Sequence, residues 1–330
     1  MLLPLTGANA GLGRSMQQAA ELALFDQVST AVDFLPRDTG GTPGGAAEAA
    51  RSAIAAGARI IIGPLTAPET SAASGAARAA RVPMLAFTND SGQAGPGVWT
   101  LGVTPAQQVR RVAGHVAGQG ARRFALVAPD DAFGRALASA LRGATDDLGL
   151  AAPVVVLHPA RAEMSAVARD LAQRVGADGA DALLVGETGQ YARELANALA
   201  GAGLAAPPLR LMGHAMWAQE ASLALAPALQ GALFAAPDGG ARGGFEGRYQ
   251  SAFGERPPRI ASVAYDAARL AARVAAQRGQ IGAGEATQGV DGPLRLLADG
   301  RVLRGLALYA IEASGEPRRI EGATTPAPGT

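Results

Sequence analysis

An apolar strand pattern, a loop and an Ala-rich amphipathic helix recur in that order along most of the chain, and this alternation restricts the fold more than any single motif. Strand onsets fall near Leu2, Ala31, Arg59 and Val82, then near Arg123, Ala152, Asp181 and Leu209. Each half therefore reads as four β/α units spaced by roughly 25 to 30 residues. Runs such as IIIGP and FALVAP are continuously apolar, whereas a sheet with one wet face would alternate. They predict α/β architecture: two doubly wound, largely parallel sheets with helices on both faces. Start signals precede the helices, with Pro43 before Ala46–Ala56, Pro68 and Glu69 before Thr70–Ala80, Pro105 before Gln107–Ala117, and Asp130 and Asp131 before Phe133–Leu148.

Between the halves, Trp99 to Leu101 with Thr104 and Pro105 reads as a crossing segment. The run from Phe245 to Phe253 and the long helix Ile260 to Gln277 follow a sheet that is already complete, so they are expected to return to the first lobe. Two strands, Gly292 to Leu296 and Leu306 to Ile311, read as a hairpin crossing to the second lobe, with a loose tail from Gly322. The expected lobes are thus residues 1–104 plus 240–288 and residues 105–239 plus 289–330. Strand ends and helix N-termini that face one another across two such lobes make a cleft suited to a small polar ligand.

Composition narrows the chemistry. All 29 basic residues are Arg, because the 330-residue chain has no Lys, and they face 28 Asp and Glu for a net charge of +1. That balance leaves no electrostatic footprint for nucleic acid. Without Lys there is no Schiff base, Walker-type loop or Ser-Lys acylation, and with 0 Cys there is no thiol catalysis, disulfide or cysteine zinc site. The 3 His, at 115, 158 and 214, make no HExxH pattern. No G-x-S-x-G elbow is present. The expectation is a binding protein rather than an enzyme, without metal or cofactor. Gly7, Gly11 and Gly13 depart from the dinucleotide fingerprint and read as turn glycines. The chain opens directly in a strand pattern, which points to export with the leader removed, a lipid anchor being one form of that.

The segment GPLTAPET follows an apolar strand and opens a helix, so the N–H groups near Thr66 and Ala67 and the Thr66 hydroxyl form a potential carboxylate cradle; the plainer reading is helix capping. Glu187 and Thr188 end the strand ALLVGE, where a carboxylate suits an ammonium or is simply solvated. Tyr265, beside Asp266 on the long returning helix, either reaches the cleft or packs between helices. Arg37 and Asp38 pair at the rim or hold the Gly-rich loop after them.

In the order PLTGANAGLGRSMQQAAELAL, IIGPLTAPETSAASGAARAARVPMLAFTND, FALVAPDDAFGRALASAL, LMGHAMW, ALQGALFAAP, RIASVAYDAARLAARV and DGPLRLLADGRVLRGLALYAI, the chain resembles the type I periplasmic binding proteins of the branched-chain amino-acid branch over nearly its whole length. LLPLTG, LPRDTGGTPGGAAEAA, LAFTND and APDDAFG are similar to a sub-branch of outer-membrane lipoproteins, the activators of penicillin-binding proteins. The resemblance implies that the turn at Thr66 and Ala67 holds a ligand carboxylate, with Thr88 and Asn89 beside it, and that Phe133 replaces a Tyr that closes over the ligand. It also implies an acidic partner for the ligand ammonium where this chain has His214. A small amino-acid-like ligand and a membrane permease of an ABC transporter are the implied partners. In the activator alternative the partner is a penicillin-binding protein, and the cleft is reduced or empty.

Overall fold

The computed structural model describes residues 1–26, 32–240, 242–276 and 284–325. The first part of the chain runs β1 (Leu2–Leu3), α1 (Ala10–Asp26), β2 (Arg37–Asp38), α2 (Pro43–Ala55), β3 (Ile61–Ile62), α3 (Ala67–Ala80), β4 (Met84–Ala86) and β5 (Val98–Thr100). The second runs α4 (Pro105–Gly118), β6 (Phe124–Pro129), α5 (Ala132–Asp147), β7 (Val154–His158), α6 (Met164–Val175), β8 (Ala182–Val185), α7 (Gly189–Gly201), β9 (Arg210–Gly213) and β10 (Leu233–Ala236). Then follow α8 (Arg242–Phe253), α9 (Ala261–Ala276), β11 (Ala286–Gly289), β12 (Gly292–Leu296), β13 (Val302–Arg304), β14 (Ala307–Ala310) and β15 (Arg318–Glu321). The expected strand onset at Ala31 and the helix end at Gln277 lie outside the described residues; the second strand itself is β2.

Two compact units emerge, one of Met1–Thr104, Asp238–Gly305 and Thr324–Thr330, the other of Pro105–Pro237 and Leu306–Ala323. In the first, β1 pairs in parallel with β2, and β3 with β4 and β4 with β5. Gly63, just past β3, passes so near β1 that a Cβ there would stand 2.1 Å from the Leu2 carbonyl oxygen. Helices α1 and α9 pack together, and Met16, Ala20, Ala264 and Ala268 join Leu3, Ile62 and Leu85 in one apolar core. A second cluster joins Leu2, Ile61 and Met84 to alanines of α2 and α3. Small helix side chains let the helices approach the strands closely, and burying a Leu or Ile there contributes about 2 kcal/mol each.

The second unit has a 7-stranded sheet in the order β15-β14-β10-β9-β8-β6-β7. From β7 to β10 the pairs are parallel; β14 and β15 run antiparallel along one edge. The chain-order reversal at β6, which lies between β7 and β8, is the topological switch point, and such folds bind ligands at its carboxyl side. Both units use one device to seat the first helix of a β/α turn. A Cβ at Gly13 would lie 2.1 Å from the Pro4 carbonyl oxygen, and one at Gly134 would lie 1.9 Å from that of Pro129. Of the three early glycines, only Gly7 is a turn glycine in the left-handed region (φ +78°), while Gly11 and Gly13 lie inside α1.

The expected hairpin and domain boundary need correction. β12 pairs with β11 and β13, not with the strand at 306–311, so residues 289–305 belong to the first unit. Val290, Leu294, Leu296 and Val302 bury their side chains in the core built on Leu3 and α9, and this fixes them there. The chain leaves for the second unit only at Leu306, where β14 pairs along β10. The single expected crossing pair is therefore split between two sheets.

Candidate functional site

The carboxyl edge of the first unit is dominated by two acidic side chains. Asp38, at the end of β2, accepts from the Leu5 N–H (2.8 Å), the Thr6 N–H (3.2 Å), the Thr6 hydroxyl (2.6 Å) and the Gly40 N–H (2.8 Å). The Thr6 hydroxyl first, then the Gly40 N–H, hold its pKa down to about 2. Asp38 thus holds the Gly-rich loop, one of the two roles expected of it, while Arg37 turns to the Pro36 carbonyl.

Thr66 caps α3, and Glu69 completes a capping box with it. The Thr66 N–H (3.0 Å) and hydroxyl (2.7 Å) both donate to one Glu69 oxygen, and the Thr39 hydroxyl donates to the other (2.5 Å). Glu69 is 0% exposed. The plainer reading of Thr66, helix capping, is what the structure shows, and its donors are occupied by the protein's own carboxylate. Pro68 has no N–H, so Ala67 presents the remaining first-turn donor among the described residues. Thr88, past β4, is buried and accepts from the Asp90 N–H (3.1 Å), whereas its neighbour Asn89 is exposed.

The second unit gathers Glu187, Thr188, His214 and Phe133 at the carboxyl ends of β6, β8 and β9, and adds His158 from β7. The Trp217 indole N–H donates to the Glu187 carbonyl (2.9 Å), locking the β8 end to the turn after β9. Gly213 makes room for that ring, since a Cβ there would come within 2.2 Å of it. His214 lies edge-on to Phe133, 5.0 Å between ring centroids, and 6.2 Å from the Trp217 ring. It is 0% exposed, and neither ring nitrogen makes a hydrogen bond of good geometry, although the Glu187 and Gly186 backbone lies close enough to favour the protonated ring. Burial pushes its pKa down to about 4, so the ring is neutral.

His158 behaves in the opposite way. Its Nε2 stands 3.2 Å from the Glu187 carboxylate in an off-line contact, and its Nδ1 is 2.9 Å from the Pro159 carbonyl. Both neighbours are acceptors, and the Glu187 carboxylate holds its pKa above the ordinary value. Thr188 opens α7 without a side-chain capping bond. Tyr191 (40% exposed) and Met216 (47%) add apolar surface near this edge. Sequence reasoning named Glu69 only as a helix-start residue and His158 only as one of the three His, and it gave no site role to either or to Tyr191. The available signal was position: each lies at or just beyond the carboxyl end of a parallel strand.

Tyr265 does not join either edge. Its hydroxyl donates to Asp26 (2.6 Å), the last residue of α1, and its ring packs on Phe245 at 5.1 Å. The carboxyl edge lies at the other end of α1, so Tyr265 is a helix-packing residue. Asp266 beside it is buried and accepts twice from the Val290 N–H; burial raises its pKa to about 6.

Among the described residues no group of His, Asp and Glu is arranged to hold a metal ion, and no helix is long and apolar enough to cross a membrane. A search of curated proteins finds no match to the sequence. Solved structures do match in fold. A branched-chain amino acid ABC transporter structure from Rhodospirillum rubrum superposes with a TM-score of 0.82 at 23% identity, over 97% of this chain and 98% of that one. A leucine binding protein from Thermotoga maritima gives 0.64 at 18% identity, over 98% and 97%. Full-length LpoA from Haemophilus influenzae gives 0.76 at 16% identity over 97% of this chain, which spans 58% of LpoA. With the profile of the family matching residues 1–292, the chain belongs to the periplasmic binding proteins.

Proposed function

We propose that this protein is the solute-capturing component of an ABC-type importer, a non-catalytic periplasmic protein that closes its two units over a small polar, amino-acid-like solute and presents it to a membrane permease. The observation that carries this reading is His214. A neutral, buried imidazole whose nitrogens make no hydrogen bond of good geometry forgoes up to about 1–3 kcal/mol of hydrogen bonding. It sits at the carboxyl edge of a doubly wound sheet, where such folds take their ligands. A solute that hydrogen-bonds His214 recovers that energy only when bound, which is the differential contact that closure needs.

In this reading Glu187, Thr188 and His214 receive one polar end of the solute, and Phe133 with Tyr191 and Met216 contacts its apolar body. Ala67, Thr88 and Asn89 receive the other end. Thr66 supports the turn and does not touch solute, because Glu69 already takes its donors. Family membership supports the assignment, as does the likeness to transporter-associated structures.

The test is calorimetric titration with whatever small molecule native mass spectrometry finds on the purified protein, backed by a panel of amino acids and related polar solutes. His214→Phe is expected to weaken binding by about tenfold or more, one charge-neutral hydrogen bond at 1.4 kcal/mol per decade. A panel that yields neither compaction nor thermal stabilisation would sink the importer reading. The LpoA likeness and the activator-like segments favour a second reading, in which the same fold regulates a penicillin-binding protein and the solute edge is vestigial. An empty protein that binds a peptidoglycan synthase in a pull-down would establish it.

A further inference from the structure

His158 ends β7, Glu187 follows β8 and His214 follows β9, so a carboxylate stands between two imidazoles along the carboxyl edge of the second unit. In the sheet β6 lies between β7 and β8. The 3.2 Å contact from the His158 Nε2 to the Glu187 carboxylate therefore passes over the end of β6, at the switch point itself. Gly186 allows this approach, since a Cβ there would stand 2.6 Å from the Ala128 side chain. The two side chains are 4% and 11% exposed. Neither the His158 Nε2 nor either His214 nitrogen makes a hydrogen bond of good geometry, and this row of strand ends is where a ligand has most to satisfy.

The charge of the pair follows from its geometry. The His158 Nδ1 stands 2.9 Å from the Pro159 carbonyl and so carries a hydrogen. Nε2 then faces the carboxylate either with a lone pair, which is repelled, or with a proton, which is attracted. Whether that proton sits on the ring or on the acid, the buried pair has no net charge. The raised pKa of His158 agrees with this. Asp130 and Asp131, on the turn after β6, are engaged by Arg135 (2.6 Å) and by the Gly134 N–H (2.8 Å), and His214 is neutral.

We infer that His158 is a specificity-determining residue that acts through Glu187: by neutralising this carboxylate it turns the edge of the second unit from an ammonium site into a site for an uncharged hydrogen-bonding group, a hydroxyl or a carboxamide. This rests on the solute-binding reading and narrows its solute. An ammonium arriving at Glu187 must expel the shared proton to solvent or lie beside an imidazolium, and in both cases it gives up hydration without gaining a full ion pair. A hydroxyl bonds to the pair without moving the proton.

Calorimetry at neutral pH compares phenylalanine with phenyllactate and leucine with hydroxyisocaproate, pairs that differ only in an ammonium against a hydroxyl, on the wild type, His158→Gln and Glu187→Gln. NMR titration of the imidazoles follows His158 in the wild type and in Glu187→Gln without any solute. The wild type is expected to prefer the hydroxy acids by about tenfold. His158→Gln should reverse that preference, because it leaves Glu187 charged, whereas Glu187→Gln should keep it, because the edge stays neutral. The His158 titration should lie above the ordinary imidazole value and drop in Glu187→Gln. The titration and the wild-type preference decide the matter even where His158→Gln does not fold. Equal or tighter binding of the amino acids by the wild type overturns the inference, as does a preference that His158→Gln leaves in place, or a His158 titration indifferent to Glu187→Gln. Probes that bind neither the wild type nor the variants, with the coupled titration intact, sink the solute-binding reading, and the specificity falls with it.

Discussion

The two units meet the same problem, the exposed donors and acceptors at the carboxyl ends of parallel strands, in opposite ways. The first closes its edge with acids: Asp38 and Glu69 bind the turns after β1 and β2 and the start of α3 into a matched network. The second leaves its edge open. Thr188 caps nothing through its side chain, His158 meets Glu187 off line, and His214 is packed against rings without a hydrogen bond of good geometry at either nitrogen. A satisfied edge is a rigid platform; an unsatisfied one stores free energy that a ligand can release.

The largest expected break in this contrast is Glu69→Ala. It strips the buried Thr39 hydroxyl and the half-buried Thr66 hydroxyl of their acceptor and removes half of a capping box, which together should cost about 3 kcal/mol by urea unfolding. No comparable loss should follow from Thr188→Ala, below about 0.5 kcal/mol, because that side chain caps nothing. An equal loss at both sites would erase the distinction.

Acid titration should separate two buried groups by sign. His214 has a folded pKa below its unfolded value, so it binds fewer protons when folded, and its contribution is lost as pH falls from about 6.5 toward 4. Asp266 has a folded pKa above its unfolded value, so its contribution is present at low pH and is lost as pH rises from about 4 toward 6. Each effect is on the order of 3 kcal/mol. His214→Phe should flatten the first slope and Asp266→Asn the second, measured as unfolding free energy at pH 4, 5 and 6.5. A His214→Phe protein with the wild-type slope would mean that His214 is not the neutral, desolvated ring described here.

Gly213→Ala tests how the open edge is held. A methyl group would collide with the Trp217 ring, and overpacking of this kind costs about 1–3 kcal/mol. It should also shift the tryptophan fluorescence, since the Trp217 N–H would be pulled from the Glu187 carbonyl. A smaller effect belongs to His214→Phe at neutral pH, a gain of about 1 kcal/mol from removing a buried polar group without a well-formed hydrogen bond, coupled to weaker solute binding. A gain in stability together with unchanged affinity would leave His214 as mere packing.

Periodicity alone determined the α/β class, the two-part division and the positions of α2 to α5, because strand and helix periods and proline starts are local properties of the chain. It also marked Glu187 and His214 as ends of strands. Tertiary packing decided the rest. Residues 289–305 joined the first unit because Leu294, Leu296 and Val302 found its core, and no local signal distinguishes one apolar core from another. Tyr265 went to Asp26 rather than to the edge, since the register of α9 against α1 is set by long-range contact. The acid that caps α3 beside Thr66 was visible as a helix-start residue in PET, but that it also draws in Thr39 depends on the turn after β2 meeting the start of α3. Whether a polar group is matched or orphaned is a property of its neighbours in space, and those neighbours come from distant parts of the chain.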